Sequence, residues 1–361
     1  MKALFVLDML HDGGAQTQAL NLAHELSRHS IHTSATALYS PQGLSSHLGI
    51  STSGLGVSTN AIHFPLACLR LLNLCRSNRP DIVHSHAEAA DLACRFVCLT
   101  LGIPHVATAH SQFPWHWRRR LGVTLERHSS FLTRRYFAVS AAVASMLENE
   151  LLIPPDRIRM IPNWAPLSPQ PTQPQPLPPT GRPTLLNVAR LHSQKGHDIL
   201  LDAFRIVRKH LPDAALWIAG TGPEEQHLRS LASNGVHFLG HRTDVPDLLR
   251  AADLFVLSSR WEGMPLSILE AMRAGLPIVS TAVAGISDLI HHGKSGTIVP
   301  IGNPLALANA IIASSTHQDQ SRAMAQSATR TADRLRTQSV SAYLQSYQEI
   351  LGLPPSTANP P

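Results

Sequence analysis

The sequence predicts an α/β protein built from two doubly wound domains, each a parallel sheet covered by helices. Short runs rich in β-branched residues alternate with helix-length amphipathic segments along the chain. A proline-rich stretch at 164–183 divides the 361 residues nearly in half, and a 43% hydrophobic composition allows a core in each half. We therefore predict an N-terminal domain over 1–163, a linker over 164–183 and a C-terminal domain over 184–335.

The first half begins with the strand "KALFVLDML", the loop "HDGGAQ" and the amphipathic helix "QTQALNLAHELSRH". Further strands are predicted at "DIVHSH", "PHVATAH" and "YFAVS". Helices are expected over Glu88–Thr100 and through the basic segment 113–135. This alternation is typical of a parallel sheet with crossover helices.

The linker "WAPLSPQPTQPQPLPPTGRP" contains too much proline for a helix or an inner strand, and we expect a stiff, partly extended connection. The second half supplies the strands "TLLNVA", "ALWIAG", "VHFLG", "LFVLSS" and "PIVST", each followed by a polar or glycine loop and a helix. A final helix is predicted over 336–351, and 352–361 is expected to be a disordered tail.

Composition excludes several classes of protein. No apolar run reaches the roughly 18 to 20 residues that span a bilayer, and Asp8 interrupts the N-terminal apolar stretch, so we expect a cytoplasmic enzyme. Four cysteines lie in the first hundred residues without a CxxC pair, which favours buried, reduced thiols over a metal site: Cys68, Cys75, Cys94 and Cys98.

The net charge is +6, and the excess is concentrated in the basic segment 113–135. This segment has a single acid, Glu126, against six arginines, and three of its first residues are aromatic: Phe113, Trp115, Trp117, Arg118, Arg119, Arg120, Arg127, Arg134 and Arg135. Such a pattern suits a surface for anionic lipid or an acidic acceptor, and equally a solvated helix face. Nucleic acid is disfavoured because no recognised binding module accompanies the segment.

Ligands of doubly wound sheets bind beyond the carboxyl ends of the strands. Gly13 and Gly14 follow the first strand, where glycines allow backbone amides to approach a phosphate or a sugar. The loop is not GxGxxG, and no acid stands about 20 residues further on, which disfavours a dinucleotide. The chain also lacks the GxxxxGK[ST] pattern of a P-loop.

Arg190 and Lys195 lie in the loop after the strand "TLLNVA", where two cations beside a helix N-terminus can hold a diphosphate and stabilise its charge as it departs. Gly196 closes this turn. We expect no metal, because no DxD or His/Asp cluster is present to hold Mg²⁺.

Two carboxylates flank the next helix start. Glu262 lies in the loop, Pro265 is predicted as the first helical residue, and Glu270 lies within the helix. We expect the two acids to accept hydrogen bonds from two sets of hydroxyls, while the amides of Leu266 and Ser267 face phosphate.

These features occur together with others in a fixed order. The spacing Glu-x7-Glu, the loop "RLxxxKG", the turn "AGTGPE", the run "FLGHRTDVPDLLRAADLFVLSS" and the pair "AVSAAVASML" and "IPPDRIRMIPN" resemble glycosyltransferase family 4 across nearly the whole chain. The resemblance implies the GT-B architecture, in which two Rossmann-like domains face each other across a cleft. It also implies a retaining, metal-independent enzyme that uses a nucleotide-diphosphate sugar, and a final helix that crosses back to the first domain.

The resemblance assigns donor-binding roles to the second half. Arg190 and Lys195 would contact the diphosphate, Glu262 the donor sugar and Glu270 the ribose. The backbone of Arg242 would contact the base. The other matched positions would also line the donor site: Gly220, Gly263, Met264, Pro265, Leu266 and Ser267.

In the first half, the resemblance places Gly13 and Gly14 on the phosphate and acceptor side. His110 in "TAHSQFP" would lie near the sugar's C6 hydroxyl and the reacting centre. His86 and Ser140 are further candidates for the cleft. Among 21 histidines, a lone His at a strand end is usually structural, and only the match to the family favours a functional role for His110.

The expected reaction transfers a glycosyl unit with retention to a glycan or lipid-linked acceptor, as in cell-surface polysaccharide or lipopolysaccharide synthesis. Glu262 would position the sugar rather than attack it, UDP-sugars are preferred over GDP-sugars as donor, and no cofactor is expected. The basic segment would hold the protein peripherally on the inner face of the cytoplasmic membrane. The alternatives are a nucleotide-sugar epimerase, a phosphorylase or an inactive scaffold, and the presence of Arg190, Lys195, Glu262 and Glu270 disfavours the scaffold.

Overall fold

The structure of this protein is a computed structural model that describes residues 1–10, 13–40, 43–47, 49–111, 119–165 and 175–354. The chain forms two compact units. The first unit combines Met1–Asn163 with Thr337–Pro361, and the second unit is Trp164–Arg336. Each is an α/β unit built around one sheet.

The first unit contains an eight-stranded sheet in the order β3-β4-β2-β1-β5-β6-β7-β8, parallel except for the antiparallel pair β3 and β4. Its strands are β1 Lys2–Leu7, β2 His32–Ala37, β3 Gly43–His47, β4 Ile50–Gly54, β5 Ile82–His86, β6 His105–Ala109, β7 Arg135–Ala138 and β8 Ile158–Met160. Its helices are α1 Gly14–Ser27, α2 Phe64–Asn78, α3 Glu88–Leu101, α4 Arg119–Ser129 and α5 Ala141–Asn149.

The second unit contains a six-stranded parallel sheet in the order β11-β10-β9-β12-β13-β14. Its strands are β9 Thr184–Val188, β10 Ala215–Ala219, β11 Val236–Gly240, β12 Leu254–Leu257, β13 Ile278–Thr281 and β14 Thr297–Val299. Its helices are α6 His197–His210, α7 Glu225–Leu231, α8 Val245–Ala251, α9 Leu266–Arg273 and α10 Pro304–Thr316. The last helix, α11 Gln318–Leu351, contributes residues to both units.

Side chains alternate between the two faces of the first sheet, and both faces are buried. Leu4 and Val6 of β1 pack with Val83 of β5 against residues of α2 and α3 such as Leu71 and Val97. The intervening residues point to the opposite face, as the two-residue period of a strand requires. That face carries buried histidines and meets the C-terminal part of α11, where the hydroxyl of Tyr347 lies 2.6 Å from His84 Nδ1.

One face of the second sheet packs into an apolar core. Leu185, Ile218 and Val256 of the sheet pack against Phe204 of α6 and Ile311 of α10, all of them buried. Two helices therefore cover this face of the sheet, and the carboxyl ends of β9, β12 and β13 lie side by side.

Several elements differ from the sequence expectations. The structure adds β2, the pair β3 and β4, β8 and β14, which are short or rich in small polar residues. Helix α11 begins at Gln318 rather than at 336. The proline-rich stretch is described over 164–165 and 175–183, and 175–183 packs on the second sheet, since Trp217 Nε1 donates to the carbonyl of Pro179 at 3.0 Å. Residues 166–174 lie outside the described part.

The cysteines are packed into the first unit, as the sequence predicts. Cys75, Cys94 and Cys98 are buried, Cys68 is half-buried, and all four are free thiols. Burial raises the pKa of the Cys75 thiol to about 12, so it is a thiol at neutral pH. Within the described ranges, no helix is both long and apolar enough to cross a bilayer.

Candidate active site

The loops after β9 and β12 place a cation and a carboxylate together at the carboxyl edge of the second sheet. Lys195 ends a single 3-10 turn, Ser193–Lys195, and Glu262 lies in the loop between β12 and α9. Lys195 Nζ lies 2.6 Å from Glu262 Oε1, and the two side chains are 16% and 7% exposed. Since β9 and β12 are neighbours in the sheet, residues far apart in sequence meet here.

Glu262 is held from a second direction. The hydroxyl of Ser259 donates to Glu262 Oε1 at 2.6 Å, and Thr281 at the end of β13 donates to the carbonyl of Ser259 at 2.7 Å. Ser259 and Thr281 are fully buried. A carboxylate that accepts hydrogen bonds from a cation and a buried hydroxyl has a fixed orientation before any ligand arrives.

Backbone contacts join the two loops. The Ser258 hydroxyl donates to the carbonyl of Lys195 at 2.9 Å, and the Arg260 amide donates to the carbonyl of Gln194 at 2.8 Å. Gly196 has φ +60°, and a Cβ there would lie 2.3 Å from the carbonyl oxygen of Ser258. Glycine is required at this position, because both the conformation and the close approach exclude a side chain.

The helix start differs by one residue from the expectation. Pro265 is the N-cap of α9, with φ −72° and an extended ψ of 124°, and the first helical residue is Leu266. The expectation that Pro265 opens the helix is therefore wrong, because its φ suits either position but its ψ is not helical. Leu266 and Ser267 begin the first turn, where amide N–H groups lack intrahelical acceptors.

Glu270 is in a different state from Glu262. It lies one turn into α9, and the structure gives its carboxyl no hydrogen bond or ion pair with any described residue. Burial raises its pKa to about 7. A carboxyl group in this state is free to exchange hydrogen bonds with the hydroxyls of a ligand.

The other matched positions of the second unit differ in accessibility. Arg190 is exposed, and its side chain forms no hydrogen bond or ion pair with the described residues. Gly220 has φ +140°, and a Cβ there would lie 2.0 Å from the carbonyl of Ala189, so its turn packs on the Arg190 loop. Arg242 binds Asp244 through two nitrogens at 2.7 and 2.6 Å, and this pairing lowers the pKa of Asp244. The Arg242 side chain therefore has a structural partner.

In the first unit, the candidate residues lie at the carboxyl ends of β1, β5, β6 and β7. Gly13 is the N-cap of α1 and Gly14 its first residue. His110 follows β6, and its Nε2 lies 3.0 Å from Nδ1 of His86 at the end of β5. Ser140 is the N-cap of α5, where its buried hydroxyl accepts from the Val143 amide at 3.3 Å. A capping role accounts for Ser140.

Sequence reasoning missed Ser259 and Thr281, which hold Glu262, although the polar pair "SS" at the end of β12 signalled a loop with hydroxyl donors. It also missed the contact of Arg260 with Asp198, 2.6 Å, which adds a further link between the same loops. Among the described residues, no group of three or more His, Cys, Asp or Glu is arranged to hold a metal ion.

The two α/β units, with the candidate site residues in loops at the carboxyl edges of their sheets, have the GT-B fold. Two family models match successive parts of the chain, Glycosyltransferase Family 4 over residues 12–168 and Glycosyl transferases group 1 over 182–317. The chain belongs to this family of glycosyltransferases.

Three known proteins illustrate the likeness. The UDP-Gal:alpha-D-GlcNAc-diphosphoundecaprenol alpha-1,3-galactosyltransferase of Escherichia coli is 26% identical over 68% of this chain and 68% of its own. The lipopolysaccharide core biosynthesis mannosyltransferase LpsB of Rhizobium meliloti is 35% identical over 34% of this chain and 39% of its own. Anabaena HepE in complex with UDP-glucose aligns with a TM-score of 0.78 at 20% identity, over 96% of this chain and 100% of its own. The chain thus matches about two thirds of the first relative and little more than a third of LpsB.

Proposed function

We propose that this protein is a retaining, metal-independent glycosyltransferase that moves a sugar from a nucleotide-diphosphate sugar, with UDP preferred over GDP, to a hydroxyl of a glycan or lipid-linked acceptor. The observation that carries the proposal is the 2.6 Å ion pair between Lys195 and Glu262. It presents a cation for the diphosphate and a carboxylate for the sugar within one fixed arrangement.

The charges of the second unit suit a diphosphate. Lys195 and exposed Arg190 supply two positive charges, and Glu262 offsets one of them. Two cations close to the bond that breaks stabilise the negative charge that develops on the leaving diphosphate. Amides in the first turn of α9 add donors for the same phosphates.

The mechanism we propose breaks the bond between the anomeric carbon and the diphosphate oxygen. The acceptor oxygen approaches from the same face and bonds to that carbon, while its proton passes to the departing diphosphate. Lys195 and Arg190 bind the departing diphosphate. Glu262, fixed by Lys195 and Ser259, accepts hydrogen bonds from hydroxyls of the donor sugar and positions it. Because neither Glu262 nor Glu270 attacks the sugar here, the carboxylate spacing that distinguishes classes of glycoside hydrolase does not apply.

Relatives support the choice of substrates. HepE binds UDP-glucose, the Escherichia coli relative is named for a UDP-sugar donor and a diphosphoundecaprenol acceptor, and LpsB is named for lipopolysaccharide core biosynthesis. From these relatives we infer that this protein acts in cell-surface polysaccharide or lipopolysaccharide synthesis.

We also propose peripheral attachment to the inner face of the cytoplasmic membrane through the basic segment 113–135. The described end of this segment supports it, since Phe131 is 65% exposed and Leu125 46% exposed beside exposed Arg127 and Arg134. Exposed apolar side chains among arginines suit an anionic bilayer surface. Residues 113–118 lie outside the described part.

The first test is a thermal-shift screen with UDP, GDP, ADP and their sugar conjugates in the presence of a chelator. A ligand that binds only the folded protein raises Tm. We expect a UDP series to stabilise the wild type and Lys209→Ala, a substitution at an exposed position in α6, and to lose its effect on Lys195→Ala. Absence of any shift until a divalent metal is added would contradict metal-independent donor binding.

The second test separates transfer from other chemistry. Incubation of the stabilising nucleotide sugar with diphospholipid-linked sugar acceptors should release the nucleotide diphosphate only when acceptor is present, with the anomeric configuration of the product unchanged by NMR. Conversion of the nucleotide sugar without an acceptor would favour an epimerase.

A further inference from the structure

A cluster of buried histidines lies on the sheet face of the first unit that meets α11. His84 and His86 are two positions apart on β5 and therefore point to the same face. Their ring centroids lie 4.1 Å apart, and His86 also stacks with Phe5 at 5.6 Å. His84 and His86 are 0% and 1% exposed.

His84 is fixed through both ring nitrogens. Its Nδ1 lies 2.6 Å from the hydroxyl of Tyr347 on α11, and its Nε2 lies 2.7 Å from the hydroxyl of Thr108 on β6. His84 therefore cannot rotate without breaking two buried hydrogen bonds. It provides a rigid neighbour for the ring of His86, which lies tilted against it at 34°.

His86 links this cluster to His110. Its Nδ1 lies 3.0 Å from Nε2 of His110, and the two ring centroids are 5.3 Å apart. The other nitrogen of His86, Nε2, is buried and has no hydrogen-bond partner among the described residues. The two nitrogens of His86 thus have unlike environments.

Both rings are neutral at neutral pH, because burial lowers the pKa of His86 well below its usual value and that of His110 to about 4. Each ring then carries one proton, and exactly one of the two facing nitrogens must donate. Buried N–H groups without an acceptor are rarer than buried acceptors without a donor. The proton of His86 therefore belongs on Nδ1, where it has an acceptor, and not on Nε2, which has no partner within the described ranges.

We propose that His86 is a positioning residue that donates from Nδ1 to His110 Nε2 and so holds the proton of His110 on Nδ1. His110 then offers a fixed N–H donor, rather than a base, to an oxygen of the bound sugar nucleotide. The identity of that ligand rests on the proposed function, whereas the protonation pattern follows from the histidine cluster alone.

The protonation pattern can be measured without any assay of activity. In protein labelled with ¹⁵N-histidine, two-dimensional spectra that correlate ring nitrogens with ring carbon-bound protons distinguish the two neutral forms, and His110→Gln identifies the His110 signals by their loss. We expect a protonated Nδ1 and an unprotonated Nε2 for His110 in the wild type. A proton on Nε2 of His110 would overturn the proposal.

Two substitutions of His86 test its role. Asn retains a donor near the position of Nδ1, whereas Leu keeps an apolar shape and removes the donor. His86→Leu should mix the two forms of His110 and lower kcat by about tenfold or more, as loss of a hydrogen bond in the transition state does. His86→Asn should restore the Nδ1-protonated form and most of kcat.

The readouts separate this role from simple packing and from the proposed function. If both variants keep the wild-type Tm, Leu lowers kcat and Asn restores it, a merely structural role is excluded. If His86→Leu leaves the His110 spectrum unchanged, His86 does not set its protonation. If the spectra are as expected but no sugar nucleotide is turned over, the proposed function fails while the assignment of the proton stands.

Discussion

Lys195 Nζ and Glu262 Oε1 lie 2.6 Å apart although the two residues are separated by 67 positions in the sequence. The contact exists because β9 and β12 are adjacent parallel strands, whose carboxyl ends open into neighbouring loops. Both charged groups are largely buried, so each is stabilised by the opposite charge of the other.

Removal of one partner should destabilise the second unit. Lys195→Met or Glu262→Gln leaves an unpaired, largely buried charge, which costs about 3 kcal/mol. The double variant should lose less than the sum of the two singles, because neither charge remains unpaired. Urea denaturation of all four proteins measures the coupling, and strictly additive losses would show that the pair is not energetically linked.

Ser259→Ala should weaken donor binding by releasing Glu262. The variant removes a buried hydroxyl that donates to Glu262 Oε1 at 2.6 Å, which costs about 1 to 3 kcal/mol. We expect a lower Tm and a higher KM for the sugar nucleotide. Ser230→Ala is the matched control, since its hydroxyl caps an exposed carbonyl on α7 at 2.6 Å, and an equal effect of both variants would contradict the role of Ser259.

Glu270 should make folding stability depend on pH between about 4.5 and 7. Its pKa is raised to about 7 in the folded protein, so the folded state retains a proton that the unfolded state releases. The free energy of unfolding should therefore be highest below pH 4.5 and should fall as pH rises through 7, by up to about 3 kcal/mol. Glu270→Gln should remove this dependence and raise Tm at pH 8, and parallel pH profiles for both proteins would refute it.

Much of the alternation of strands and helices was readable from the sequence, because strands such as β1, β10 and β12 have continuous apolar runs. Strands β3 and β4 could not be predicted, because their sequences "GLSSH" and "ISTSG" consist mostly of small polar residues with little strand preference. Loop positions follow from the alternation of strands and helices, so the sequence predicts Arg190, Lys195 and Glu262 as site residues. Which side chains these residues contact could not be predicted, because the contacts depend on the order of the strands in the sheet.

The hydroxyl of Tyr347 should contribute to the stability of the first unit. Tyr347→Phe would leave His84 Nδ1 buried without its partner, 263 positions away in the chain, at a cost of about 1 to 3 kcal/mol. We expect a lower Tm together with broadened His84 and His86 ring signals. Calorimetry that gives the same Tm for both proteins would show that this hydrogen bond contributes nothing net.

Membrane attachment through the basic segment can be tested by sedimentation with lipid vesicles. We expect binding to vesicles with anionic lipid and not to neutral ones, weakened by salt. Arg127→Glu with Arg134→Glu should abolish binding, whereas Arg322→Glu, a charge reversal at an exposed position of α11, should not. A protein that stays in the supernatant with both vesicles would contradict the attachment.

Helix α11 leaves the second unit at Arg336 and completes the first unit from Thr337 onward. During synthesis from the N-terminus, every residue of the second unit therefore leaves the ribosome before Tyr343 and Tyr347 are available to close over His84 and Thr108. The second unit can fold while the first still exposes its histidine face. The first unit to be translated is thus the last to be finished, and a ribosome that stalls near residue 336 leaves it open.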